Sequence, residues 1–139
     1  MPAKILVIDD EADFINLTAY YLKDTGFEII SAQAGMPGLH QARRHLPDII
    51  LLDLGLPDID GLSVCEILRR QPSTAHIQIV LVTAMAGEIP RTNALASGAN
   101  HFLTKPFSRE DLAHCVEKAL RARDAQTDAE AAAPEGAHP

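Results

Sequence analysis

The chain is 139 residues long, enough for one domain with a single substantial core; 47% of it is apolar and 22% charged. A formal net charge of −7 argues against nucleic acid or an anionic membrane as a direct partner, since both attract a basic surface. No run approaches the roughly 20 apolar residues of a membrane span, and Ile5-Leu6-Val7-Ile8 is too short for a signal-peptide core, so a cytoplasmic protein with no membrane insertion is expected.

In chain order, Lys4–Ile8 is almost continuously apolar, as a strand buried on both faces is. A first helix is predicted from Glu11 to Thr25, with Ile15, Ala19 and Leu22 on one stripe and Gly26 as its stop. Phe27–Ser31 carries Glu28 and suits an edge strand. A second helix covers Met36–His45, and Pro47 bars its continuation. Asp48–Leu52 is another buried strand, followed by a helix that begins near Asp60-Gly61 and ends before Pro72. Ile77–Val82 is the third nearly all-apolar strand. A fourth helix is weakly marked within Ile89–Ser97, where Pro90 is acceptable only in the first turn. His101–Thr104 reads as a short edge strand. The last helix starts at Ser108, whose hydroxyl and Asp111 resemble a capping box with Asp in place of Glu.

From Asp124 to Pro139 there is no large apolar residue. Ala favours continuation of the helix through Ala131–Ala133, and disorder is expected after Pro134. Residues 1–123 are therefore expected to form the domain, and 124–139 a disordered or partly helical tail. Cys65 and Cys115 lie far apart among apolar neighbours and are read as buried free thiols. The six histidines, His138 in the tail included, show no ligand spacing and are read as structural or surface residues.

Successive βα units imply an α/β fold, with a parallel sheet covered by helices on both faces. Periodicity does not select the strand order. In such sheets ligands sit outside the carboxyl ends of the strands. Those ends carry Asp9-Asp10, Asp53, Thr83 and Lys105: three carboxylates, a hydroxyl and an amine at one edge. Crowded carboxylates repel, and a hard divalent cation relieves them; Mg²⁺ needs only a few carboxylates because it keeps several waters. An Asp can form an aspartyl phosphate, and a metal, a Lys and a hydroxyl are the parts that stabilise phosphoryl oxygens. Helix capping by Asp9 or Asp10 accounts for one carboxylate, not for two adjacent ones after a buried strand. Asp58 and Asp60 are read as solvated loop acids.

Four segments carry a resemblance to a known family: Ile5-Leu6-Val7-Ile8-Asp9-Asp10-Glu11, Asp53 to Gly61, Val82-Thr83-Ala84, and Gly98 to Phe107. In this order the chain resembles the receiver domains of two-component response regulators, of the chemotaxis-regulator type, from residue 3 to about 122. The resemblance implies a flavodoxin-like, doubly wound sheet of order 2-1-3-4-5 with five helices. It implies Asp53 as phosphoacceptor, Asp10 as a direct Mg²⁺ ligand, Asp9 as a ligand through water, and the Gly55 carbonyl as a further ligand. Thr83 would bond a phosphoryl oxygen, Lys105 would pair with the phosphate, Phe102 would be the switch aromatic, and Lys105-Pro106 would be cis.

The implied function is a phospho-acceptor switch rather than a turnover enzyme. It would be charged by a histidine kinase or histidine phosphotransfer protein, and would signal to an unidentified downstream protein as a monomer or weak phosphorylation-dependent dimer. Two alternatives stand beside it. A haloacid-dehalogenase-like phosphatase usually places a second working Asp two residues after the first, where this chain has Gly55; a degenerate receiver would lack part of the acidic set or Lys105. Asn100-His101 departs from an acidic pair common in receivers that dimerise through the face of the fourth helix, fifth strand and fifth helix. The resemblance also places Gly55 and Met85 beside the approach of hydrolytic water; neither side chain would orient that water, and slow decay of the phosphate is expected.

Overall fold

A computed structural model describes residues 2–84 and 91–132. Met85, expected beside the approach of water, Ile89 and Pro90, expected at the start of the fourth helix, and Ala133, Pro134 and His138 of the expected tail lie outside the described residues.

Five strands, β1 (Lys4–Ile8), β2 (Glu28–Ala32), β3 (Ile49–Asp53), β4 (Gln78–Thr83) and β5 (His101–Thr104), alternate with five helices. These are α1 (Ala12–Tyr21), α2 (Gly35–His45), α3 (Gly61–Arg70), α4 (Arg91–Ala96) and α5 (Arg109–Ala132). The sheet is parallel throughout in the order β2-β1-β3-β4-β5, which puts the two strands expected at the edges there.

The central strands have no polar face because each side of the sheet is covered. Leu6, Ile8, Ile50, Leu52, Ile79 and Leu81 point into one core with α2, α3 and Ala94 of α4. Their neighbours Ile5, Val7, Ile49, Leu51, Val80 and Val82 point into the other, with Leu22 after α1 and with Leu112, Cys115, Val116 and Ala119 of α5. Alternate residues thus serve opposite cores, which is why period-2 patterning vanishes from the sequence of these strands. Cys65 and Cys115 are buried free thiols, one in each core, and burial pushes the Cys115 thiol up to about 11.

Several boundaries differ from the sequence expectation. α1 stops at Tyr21, and a series of turns carries the chain to Gly26, whose φ of +82° makes glycine the fitting residue there. The β3 and β4 strands end one residue later than the apolar runs suggest, so Asp53 and Thr83 are themselves the last ladder residues. Among the described residues the α4 helix covers Arg91–Ala96. The α5 helix continues into the segment expected as tail, as far as Ala132. It is tethered near residue 123, where the Arg123 guanidinium lies 2.9 Å from Asp48.

Asp58 and Asp60 are exposed, yet they are anchors rather than free loop acids. The α2 N-cap residue, Ala34, has no side-chain acceptor, and Asp58 reaches across from the β3–α3 loop to accept the Gly35 and Met36 N–H groups at 2.7 and 2.8 Å. Asp60 caps α3, accepting the Ser63 N–H at 2.9 Å, an interaction typically worth about 1 kcal/mol. These backbone hydrogen bonds hold both carboxyls below the usual carboxylate range. The loop leading to the two acids is thereby pinned, and it is the loop that carries Gly55.

Candidate functional site

The five strands end along one line, and hydrogen bonds continue the ladder just past it. The Asp9 N–H donates to the Ala32 carbonyl at 3.0 Å, Leu54 N–H to Val82 at 3.1 Å, and Lys105 N–H to Thr83 at 2.7 Å. Backbone pairing therefore delivers Asp9, Asp53, Thr83 and Lys105 to a common edge before any side-chain contact is considered. All four are buried, at 3–7% exposure, while Asp10 is exposed.

Carboxylate oxygens of Asp9, Asp10 and Asp53 lie within 4.8 Å of one another. Burial and then the Asp9 charge push the Asp53 carboxyl up; Lys105 pulls it back and Asp10 raises it further. The Lys105 ammonium lies 2.8 Å from Asp9, 3.4 Å from Glu11 and 3.6 Å from Asp53. Burial works against its charge, but the Asp9 hydrogen bond and the charges of Asp53, Asp9 and Glu11 outweigh that and hold it above the usual lysine value. The Lys105-Pro106 bond is cis, in line with the resemblance. Among the described residues the group is a buried carboxylate flanked by two more and by the Lys105 ammonium, open to solvent on the Asp10 side.

Gly55 sits in the open loop above Asp53: a Cβ built on it would meet nothing but Asp53 Oδ2, at 3.8 Å. Phe102 is half-buried, packed against the core on the α2/α3 side, and it lines a surface groove of about 640 Å³ with Leu95, Pro106, His114 and Lys118. Asn100 joins neither the site nor an acidic face. Its Oδ1 accepts the Ile79 N–H at 2.8 Å and Arg69 Nη2–H at 2.6 Å, which secures the entry to β5. His101 Nε2 lies 3.1 Å from Gln78 Oε1.

Two contacts to Lys105 escape sequence reasoning. Glu11 reads there as the start of a helix and the end of a matching segment, with no partner suggested, and Phe14 carries no signal of its own. The Phe14 ring centroid lies 4.0 Å from the Lys105 ammonium. The available hint is that Phe14 falls one turn after the acidic run, on the part of α1 that leaves the strand edge.

Residues 5–117 match the family described as response regulator receiver domain. The chain is 45% identical over 107 residues to the response regulator PleD of Caulobacter vibrioides, covering 77% of this chain and 24% of that protein. It is 38% identical over 121 residues to the alkaline phosphatase synthesis transcriptional regulatory protein PhoP of Bacillus subtilis, covering 87% of this chain and 50% of that one. It thus spans half or less of the length of these curated relatives. Among solved structures, the chemotaxis response regulator CheY4 of Vibrio cholerae superposes with a TM-score of 0.80 at 26% identity, over 86% of this chain and 99% of that one. With strand order, acidic cluster and sequence agreeing, the chain belongs to the response regulator receiver domain family of two-component signalling.

Proposed function

We propose that the chain is a phospho-acceptor switch whose Asp53 takes a phosphoryl group from a histidine kinase or histidine phosphotransfer protein, with residues 1–123 as the switching unit. The observation that carries the reading is the Lys105 ammonium held between Asp9 and Asp53, beside an acidic cluster. An Asp53 carboxylate oxygen attacks the phosphorus of the phosphohistidine. The P–N bond breaks as the acyl-phosphate P–O bond forms, and the departing imidazole keeps the electron pair and takes a proton. Hydrolysis later cleaves that P–O bond with water and restores the carboxylate.

The donor set suits Mg²⁺: hard carboxylate oxygens, close together, with one acid open to the solvent from which such an ion would draw its remaining ligands. Asp10 would bind it directly, Asp9 through water, and Asp53 and the Gly55 carbonyl would complete the protein's share. When bound, the ion offsets the repulsion among the carboxylates and the incoming phosphoryl oxygens. Lys105 then pairs with a phosphoryl oxygen as a point charge, and the Thr83 hydroxyl donates to another. Thr83 and Phe102 would act together as the switch, and Phe102 borders the groove beside β5 and α5, where a downstream protein would read the change. The outside-substrate phosphatase is set aside, because the family match is to receivers.

The test is mass measurement after acetyl phosphate treatment. Wild type should gain one phosphoryl group and Asp53→Asn none; no gain in wild type, or an equal gain in the variant, would overturn the assignment. Slow hydrolysis is expected as well. Because position 55 has open space beside Asp53, Gly55→Asn puts an amide where it can orient water, and decay should quicken on the order of tenfold. An unchanged half-life of the phosphorylated variant would remove water positioning as the explanation.

A further inference from the structure

The ammonium of Lys105 is almost out of water, in a residue 6% exposed, and everything proposed for phosphoryl transfer depends on where it stays. Its three N–H donors face Asp9, Glu11 and Asp53 at 2.8, 3.4 and 3.6 Å. Of these, Glu11 is 57% exposed and holds weakly, since an ion pair open to solvent gains little. Asp53 is the group whose oxygens change when a phosphoryl group arrives. The carboxylates alone therefore do not define one position for the cation through the reaction.

We propose that Phe14 is a positioning residue for Lys105, holding the ammonium against its ring face within reach of Asp53. The inference rests on the phospho-acceptor reading above and goes beyond it in assigning a role to a residue of α1. The 4.0 Å separation from the ring centroid is well inside the range in which an aromatic quadrupole attracts a cation, and the attraction grows when the pair is desolvated. A ring face accepts no particular N–H bond, so it does not compete with a phosphoryl oxygen. Lys105 can exchange one carboxylate partner for a phosphoryl oxygen while its contact with the ring persists.

The ring is itself fixed. Phe14 packs on Phe107 with centroids 6.2 Å apart, and Phe107 packs in turn on Tyr21 at 6.3 Å. Phe107 is 7% exposed and lies two residues after Lys105. Platform and cation are thus clamped by the same β5–α5 connection. Without the ring, the ammonium gains a route to solvent on the side of exposed Glu11 and spends less time near Asp53.

The experiment compares full-length wild type, Phe14→Leu, Phe14→Tyr and a protein with pentafluorophenylalanine at position 14, at saturating Mg²⁺. The rate of Asp53 labelling by acetyl phosphate should fall about tenfold in Phe14→Leu and in the fluorinated protein, and stay within about twofold in Phe14→Tyr. The fluorinated ring keeps the shape and reverses the quadrupole, so a wild-type rate there would show that packing alone matters and would overturn the proposal. So would a wild-type rate in Phe14→Leu. A second readout needs no labelling: the Lys105 ε-methylene protons of unmodified wild type should be shifted upfield by the ring current, and Phe14→Leu should lose the shift. Absence of that shift in wild type overturns the contact even if Phe14→Leu does not fold. Failure of wild type to be labelled at all would strike the phospho-acceptor reading, while the proton shift would still report on the contact.

Discussion

Chelating divalent cations with EDTA, or replacing Asp10 with Asn, should cut the labelling of Asp53 by acetyl phosphate by on the order of a hundredfold or more. The reason lies in the charges. The nucleophile must be an ionised carboxylate, yet burial and its Asp9 and Asp10 neighbours all push the Asp53 carboxyl towards its protonated form. Lys105 is the counter-charge within the site, and it is already shared among Asp9, Glu11 and Asp53. An incoming phosphoryl group brings more negative charge to the same edge. One ammonium cannot offset all of this, whereas a hard dication coordinated by the same oxygens can. Asp10→Asn keeps the shape and removes one charged ligand, so it reports on metal binding without disturbing the buried pair of Asp9 and Lys105. Labelling of full extent and rate in EDTA would sink the metal assignment. Full labelling of Asp10→Asn at low Mg²⁺ would show that Asp9 and Asp53 suffice.

The residues of this site are legible in the sequence because the signal is local and one-dimensional. A run of apolar residues ending in an acid, as at Ile8-Asp9 or Leu52-Asp53, marks a buried strand emerging at its carboxyl end. The sheet order is not legible from that signal, since any arrangement of covered parallel strands shows the same runs; it comes with the family resemblance. The one-residue extension of β3 and β4 reflects the same limit: hydropathy ends a strand at its last apolar residue, while the hydrogen-bond ladder continues through polar Asp53 and Thr83. Asp58 looks solvated in the sequence because composition cannot show that its carboxylate lies against the N-terminus of α2, more than 20 residues earlier. Phe14 is hidden for a related reason. Its contact with Lys105 joins residues 91 positions apart, and an aromatic on an amphipathic helix looks the same whether it faces a core or a cation.

Gly61→Ala should lower stability by about 2–3 kcal/mol, seen as a melting temperature reduced by roughly 10 °C, and should slow Asp53 labelling as well. Gly61 opens α3 where the helix passes closest to the end of β3, and its N–H donates to the Leu54 carbonyl at 3.1 Å. A Cβ there would lie 2.5 Å from the Asp53 carbonyl oxygen and 2.9 Å from Leu54 Cα. Both are backbone atoms, so no side-chain rotation relieves the overlap; either α3 or the β3–α3 loop has to move. Asp60 holds the start of α3 and Asp58 ties the loop to α2, so the displacement strains contacts at both ends. It also shifts the backbone at Leu54 and Gly55, whose carbonyl is the proposed further metal ligand. The internal control is Gly55→Ala in the same loop, where the new Cβ meets only Asp53 Oδ2 at an ordinary 3.8 Å. That variant should stay within about 0.5 kcal/mol of wild type. If thermal unfolding of the two alanine variants were indistinguishable, the close approach of α3 to the Asp53 backbone would not be what shapes this loop. If Gly61→Ala were destabilised but labelled at the wild-type rate, the loop would be positioned independently of the site.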